Sequence, residues 1–175
     1  MRVVAGEFKG RRLHAPRGRR TRPTADKVRE ALFSILGDVS GMSVLDLFAG
    51  SGALGIEALS RGASDAVFVD SDPRAIAAIQ RNLDAVGVRA EVHRRDVLGF
   101  VAAPAGRAYD LVFADPPYDC SVRLGSPLSA GLPSLLTDEA RIVTESDKRS
   151  PLALDLPLVT ERTYGDTRIA VHARG

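Results

Sequence analysis

Four clusters in this chain have residue types and spacings that could do chemistry. Gly50, Gly52 and Gly55 stand at G-x-G-x-x-G within DLFAGSGALG, residues 46–55. That spacing lets backbone approach a ligand where a strand turns into a helix whose first N–H groups are free to bind it. Asp70 closes the apolar run AVFVD, twenty residues beyond Gly50. A carboxylate there can accept hydrogen bonds from both hydroxyls of a ribose. Asp96, in RRDV (94–97), is placed for an adenine amine. These three clusters fit NAD and S-adenosylmethionine equally, since both carry adenosine.

The fourth cluster separates the two. Asp115-Pro116-Pro117-Tyr118 follows the apolar run YDLVFA (109–114). Prolines stiffen the backbone and bring no N–H of their own. Asp115 and the Pro116 carbonyl can then accept both hydrogens of a planar NH₂ group, and Tyr118 offers a face on which a base can stack. Hydride transfer has no use for such a receptor, whereas methylation of a nucleobase amine does. The expected catalytic residues are Asp115, Pro116, Pro117 and Tyr118. The expected cofactor contacts are Asp46, Phe48, Ala49, Gly50, Ser51, Gly52, Gly55, Asp70, Ser71, Asp96, Val97 and Asp115. Asp46 has a second reading, because an acid beside a glycine loop can serve only to orient backbone N–H groups.

Alternating elements must position these clusters. Thr24 can cap a helix over 24–36, where Val28, Ala31, Leu32, Ile35 and Leu36 share one face. Strands are predicted at 43–47, 66–70, 89–93, 109–114 and 140–145, with helices at 52–60, 72–87 and 97–103. Asp72-Pro73 reads as an N-cap followed by a first-turn proline. Segment 119–138, which holds Gly125, Pro127, Gly131 and Pro133, reads as a loop with one short helix. The runs 158–164 and 167–172 flank Gly165-Asp166 as a hairpin. Strands alternating with helices imply a doubly wound, Rossmann-like α/β sheet, parallel except at its antiparallel C-terminal edge. In such sheets ligands bind at the carboxyl ends of the strands, at the switch point of strand order.

Charge is unevenly distributed. Residues 1–30 carry ten Lys/Arg against three acids, or +7. The remainder carries 14 against 19, or −5. A basic arm on an acidic body marks a polyanionic partner. Residues 2–6 and 11–14 read as strands of a basic β-hairpin, so the chain divides into an N-terminal nucleic-acid-binding extension, 1–22, and a catalytic domain, 23–175. Arg2, Lys9, Arg11, Arg12, Arg17, Arg19, Arg20 and Arg22 are the expected nucleic-acid contacts. No apolar run approaches the roughly 20 residues that span a bilayer. No apolar signal segment opens the chain, and the single cysteine, Cys120, excludes an internal disulfide. A cytoplasmic monomer with no membrane partner is expected. His14, His93 and His172 are scattered, so no metal site is expected. Cys120 does not serve as a covalent nucleophile, since an amino nitrogen is methylated directly.

DLFAGSGALGIEAL, the acid of VFVDSD and DPPY resemble motifs of class I S-adenosylmethionine-dependent methyltransferases that act on amino groups. RVVAGEFKGRRL with RPTADKVREALFSIL resembles the opening of the RsmD family, the bacterial 16S ribosomal RNA (guanine-966-N2)-methyltransferases. The resemblance runs to the closing RTYGDTRIAV, although DCSVRLGSPLSAGLP departs from the family's regularity. It implies methyl transfer to N2 of a guanine flipped onto Tyr118, with S-adenosylhomocysteine as product and 16S RNA in the 30S subunit or an assembly intermediate as partner. It also implies that Arg22 and Thr24 lie near the cofactor or target base. Three rivals share parts of the pattern. A DNA amino-methyltransferase would need a recognition domain for which 175 residues leave little room. A protein-glutamine methyltransferase would favour Asn at 115. A non-enzymatic nucleic-acid-binding module would not need Asp70, Asp96 and DPPY together.

Overall fold

The structure, a computed structural model, describes residues 1–16, 26–103, 106–117 and 121–175. Seven strands form one sheet in the order β3-β2-β1-β4-β5-β7-β6. They are β1 (Ser43–Leu47), β2 (Asp65–Asp70), β3 (Glu91–Arg94), β4 (Tyr109–Ala114), β5 (Leu136–Asp147), β6 (Leu158–Tyr164) and β7 (Thr167–Ala173). The first five run parallel. β7 pairs antiparallel with both β5 and β6, as the Gly165-Asp166 turn requires.

Alternation along the strands sends neighbouring side chains to opposite faces. Val44, Phe68, Leu111, Phe113 and Val143 meet α1 (Asp26–Leu36), α2 (Ala53–Ser60) and α3 (Pro73–Val86) through Phe33, Ile56 and Ile79. Leu45, Leu47, Val69, Val112 and Ile142 meet α4 (Val97–Val101) and α5 (Ser121–Gly131) through Val101 and Leu128. The sheet is thus covered on both faces, which is why its central strands are mostly apolar. α3 starts as its sequence predicts: Asp72 accepts the Arg74 N–H at 2.9 Å, with Pro73 next. It ends at Gly87 in the left-handed region (φ 75°).

Segment 119–138 differs from its reading. An eleven-residue helix, α5, occupies it, with Pro127 inside, followed by a 3₁₀ turn at Leu132–Leu135. Its glycines are packing positions, not turns. A Cβ on Gly125 would lie 2.1 Å from the Ala153 carbonyl oxygen, and one on Gly131 would lie 2.9 Å from Val101. Ser129 Oγ donates to the Gly125 carbonyl at 2.7 Å inside this proline-interrupted turn.

The N-terminal segment closes on a single antiparallel bridge, Arg2 with Arg12, instead of two strands. It lies docked on α2 and α3. Val3 and Leu13 belong to the α2-side core. The fully buried carboxylate of Glu57 accepts the Val4 N–H at 2.7 Å and the Ala5 N–H at 3.0 Å. It also accepts from Arg61 at 2.9 Å and lies 3.5 Å from Nε of the buried Arg29. Ser60 adds its carbonyl to Glu7 N–H and its hydroxyl to Phe8 N–H and the Ala5 carbonyl. A Cβ on Gly6 would lie 1.7 Å from the Ser60 oxygen, and its φ of +80° suits glycine alone.

α2 has no side-chain cap of its own, since its N-cap is Gly52. Asp46 reaches up from β1 and accepts the Gly55 N–H at 2.9 Å. Burial, reinforced by the charge of Asp70 and opposed by the Gly55 N–H, pushes the Asp46 carboxyl up to about 8.

Two outcomes follow from these buried carboxylates. Glu57→Ala leaves Arg29 without its buried counter-charge and should lower the unfolding free energy by about 3–5 kcal/mol. It should also open residues 1–14 to proteolysis. A urea melt showing a loss under about 1 kcal/mol, with that segment still protected, would refute the clamp. Asp46 titrates higher when folded than the roughly 3.9 of an unfolded aspartate. Its contribution to stability is therefore complete below about pH 4 and is lost as pH rises through about 8. Asp46→Asn keeps an oxygen for Gly55 and removes the titration. Wild-type stability relative to the variant should fall from about pH 5 to about pH 9; a difference independent of pH would contradict the assignment.

Candidate active site

The switch point of strand order lies between β1 and β4, because the chain runs outward from β1 to β2 and β3 on one side and from β4 to β5 on the other. Leu47 is in register with Val69 of β2 and with Ala114 of β4. The next residues, Phe48, Asp70 and Asp115, therefore stand side by side, the two acids flanking the start of the glycine loop. At about 4.8 Å per strand, their backbones lie about 10 Å apart.

The loop holds its shape through backbone bonds. Ala49 N–H donates to the Val69 carbonyl at 3.1 Å and Gly52 N–H to the Ala49 carbonyl at 2.7 Å. Asp70, 3% exposed, accepts the Gly50 N–H through one oxygen and the Asp72 N–H through the other, each at 2.9 Å. Phe48 has φ of +58°, a conformation that costs a bulky residue about 1–2 kcal/mol. Its ring packs against the α4–α5 core. Sequence reading placed Phe48 at the site but could not detect this strain.

The three glycines have different tasks. A Cβ on Gly50 would meet nothing closer than the Phe48 oxygen at 3.8 Å, so space opens at the loop crest. Gly52, at φ +75°, faces Phe68 and Ile79. Gly55 lies where a Cβ would come within 2.4 Å of Phe68, so its absence lets α2 settle on β2. Such a crest, with carboxylates on both sides, fits an adenosyl-amino-acid cofactor held by backbone and by Asp70.

The other expected residues are placed as follows. Asp46 is 2% exposed and bound to Gly55 beneath the loop. Ser51 and Gly50 are half-buried, and Ser71 is exposed just beyond β2. Asp96 caps α4 by accepting the Gly99 N–H at 2.8 Å, and Val97 is buried behind it. Asp115 is half-buried and engaged by a partner within the chain. Pro116 is buried and Pro117 half-buried. Arg2, Lys9, Arg11 and Arg12 are exposed on the docked hairpin. Tyr118, Cys120, Arg17, Arg19, Arg20, Arg22 and Thr24 lie outside the described residues.

Sequence reading passed over Glu57, Arg29 and Asn82, all fully buried. Each is a polar residue among inward-facing apolar ones, a signal the periodicity contains. Thr144, paired with Ala114 one strand from Asp115, was passed over too. Its hydroxyl and that of Ser146 are buried without hydrogen-bond partners among the described residues. Among the described residues, no group of three or more His, Cys, Asp or Glu could hold a metal ion, and no helix is long and apolar enough to cross a membrane.

Comparison with known proteins places the chain in a family. Bacillus subtilis YlbH, provisionally named an rRNA methyltransferase, is 39% identical over 99% of both chains. Ribosomal RNA small subunit methyltransferase D of Escherichia coli K12 is 36% identical over 87% of this chain and 77% of its own. The solved structure of Escherichia coli yhhF, provisionally named a methyltransferase, superposes with a TM-score of 0.83 at 32% identity, covering 99% of this chain and 97% of the other. The mostly parallel sheet with its antiparallel C-terminal strands is the class I methyltransferase fold. Matched from residue 1 to residue 173 by the family's model, the chain belongs to the conserved hypothetical protein 95 family, the RsmD family that its motifs resemble.

Proposed function

We propose that this chain transfers a methyl group from S-adenosylmethionine to the exocyclic N2 of a guanine in small-subunit ribosomal RNA. The relatives' names support the coarser part, an rRNA methyltransferase. The observation that carries the finer part is the register of Asp115-Pro116 beside the glycine loop, with Asp70 on the loop's far side. That register supports a carboxylate and a proline carbonyl acting beside the adenosyl cradle at the switch point.

Bound S-adenosylmethionine supplies an electrophilic methyl group on a sulfonium and leaves as S-adenosylhomocysteine. The remaining work falls to the chain. Gly50 and Gly52 let the loop backbone close on the cofactor's amino-acid end, Asp70 accepts from the ribose, and Asp96 accepts from the adenine amine. Asp115 and the Pro116 carbonyl accept the two N–H bonds of the guanine amine. They favour a more pyramidal nitrogen and stabilise the positive charge that grows on it. Pro117 has no N–H to compete for these acceptors. Holding nucleophile and methyl in line supplies most of the remaining acceleration. The proton turns acidic only as the new bond forms, so it passes to Asp115 or to water without a strong base. Tyr118 receives the flipped base. Arg2, Lys9, Arg11 and Arg12, continued by Arg17, Arg19, Arg20, Arg22 and Thr24, bind the RNA backbone and make affinity salt-dependent. No metal enters this scheme.

Incubation of 16S RNA and 30S particles with methyl-labelled cofactor, followed by nucleoside analysis, should place label in N2-methylguanosine. Label in N6-methyladenine or N4-methylcytosine of DNA would favour the amino-methyltransferase of DNA instead, and label in neither nucleic acid would sink the proposal. Asp115→Ala should reduce turnover by about 100-fold or more with cofactor affinity largely kept, as calorimetry would show. Loss of cofactor binding together with turnover would move Asp115 from the amine to the cofactor.

A further inference from the structure

Asn82 lies on the inner face of α3 with no exposed surface. Its amide binds only backbone. Oδ1 accepts the His14 N–H at 2.8 Å, and Nδ2 donates to the His14 carbonyl and to the Ser51 carbonyl, each at 2.9 Å. Both hydrogens and the oxygen of the amide are used. Asn82 thus pairs with His14 as a residue of a neighbouring strand would, and its second hydrogen reaches into the glycine loop. The first arm of the hairpin arrives at the same place, where Ser51 Oγ lies 3.8 Å from Met1 Sδ.

Ser51 sits between Gly50 at φ +58° and Gly52 at φ +75°. Two such glycines leave the intervening peptide free to turn unless something holds it. Asp70 fixes the N–H on its Gly50 side, and Asn82 fixes its carbonyl. The Asn82 side chain thus bonds both that loop and the basic hairpin.

We propose that Asn82 is a positioning residue that sets the glycine loop through the Ser51 carbonyl and ties its order to the docking of the N-terminal hairpin, so that cofactor and RNA bind with positive coupling. This rests on the function proposed above. The RNA-facing segment and the cofactor loop share one buried amide. A ligand that orders the loop favours the docked hairpin, and a polyanion that holds the hairpin favours the ordered loop. Linkage makes the two effects equal in size.

S-adenosylhomocysteine binding, measured by calorimetry with and without naked 16S RNA, tests this. In the unmodified protein the RNA should tighten S-adenosylhomocysteine binding, and saturating S-adenosylhomocysteine should slow amide exchange at His14. Asn82→Ala should weaken S-adenosylhomocysteine binding about tenfold and abolish its response to RNA. It should raise the KM for S-adenosylmethionine more than it lowers kcat. Asn82→Asp keeps the shape and the acceptor for His14 but lacks the hydrogens, and it should behave alike. A purely structural amide would lower the melting temperature and leave the affinity of the folded protein unchanged. That result, or exchange at His14 indifferent to S-adenosylhomocysteine in the unmodified protein, overturns the inference. Failure of the unmodified protein to bind S-adenosylhomocysteine at all sinks the proposed function and this inference with it.

Discussion

Glu57 is a carboxylate with no exposed surface, and a carboxylate can be buried only where donors surround it. The chain provides them from three places at once. Val4 and Ala5 give backbone N–H groups, Arg61 gives a guanidinium from the end of α2, and Arg29 gives a second from α1. Loss of any of these partners leaves the buried charge less compensated. This one constraint joins the N-terminal segment to the first two helices and makes it part of the α2-side core. It also explains why a polar residue stands in the otherwise apolar ALGIEALS.

The sheet order supplies the second constraint. Central placement of β1 puts a neighbouring strand on each side of it, so whatever follows β2 and β4 must flank whatever follows β1. Asp70 and Asp115 are separated by forty-five positions in the chain and by two strand spacings in the fold. The loop between them is held against its own preferences. Phe48 sits at a positive φ, and the buried Asp46, pushed up to about 8, anchors Gly55 below. Such strain persists only where the surroundings over-determine it, and here the anchors are the Val69 carbonyl, Asp70 and Asp46.

Much of this was legible in the sequence. β1 and β4 fall at 43–47 and 109–114 as predicted, because a central strand is a mostly apolar run bounded by turn and polar residues. Asp72, Pro73 and Gly87 mark both ends of α3 because capping is local chemistry. The failures share a cause. Gly125 and Gly131 looked like turn signals, yet each is required by a neighbour distant in the chain, Ala153 and Val101. Glu57 and Asn82 looked like ordinary helix residues, yet the backbone groups they bind lie more than thirty positions away. Local propensity records what a residue does to its own backbone. It does not record which remote backbone will need its side chain.

The same distinction resolves the basic arm. Read as charge alone, ten cations among the first thirty residues could be a solvated tail or a surface for a polyanion. The bonds that dock the segment exclude a loose tail for its described part. Glu57, Ser60 and Asn82 hold it by backbone groups of Val4, Ala5, Glu7, Phe8 and His14. None of those bonds uses the side chain of Arg2, Lys9, Arg11 or Arg12, all of which are exposed. A tail would have been cheaper in ordering entropy, at about 1–2 kcal/mol per fixed residue, and a docking built on the arm's own cations would have neutralised them. Anchoring by backbone fixes the segment and leaves its charge facing outward, the arrangement that a rigid electrostatic surface for phosphates requires.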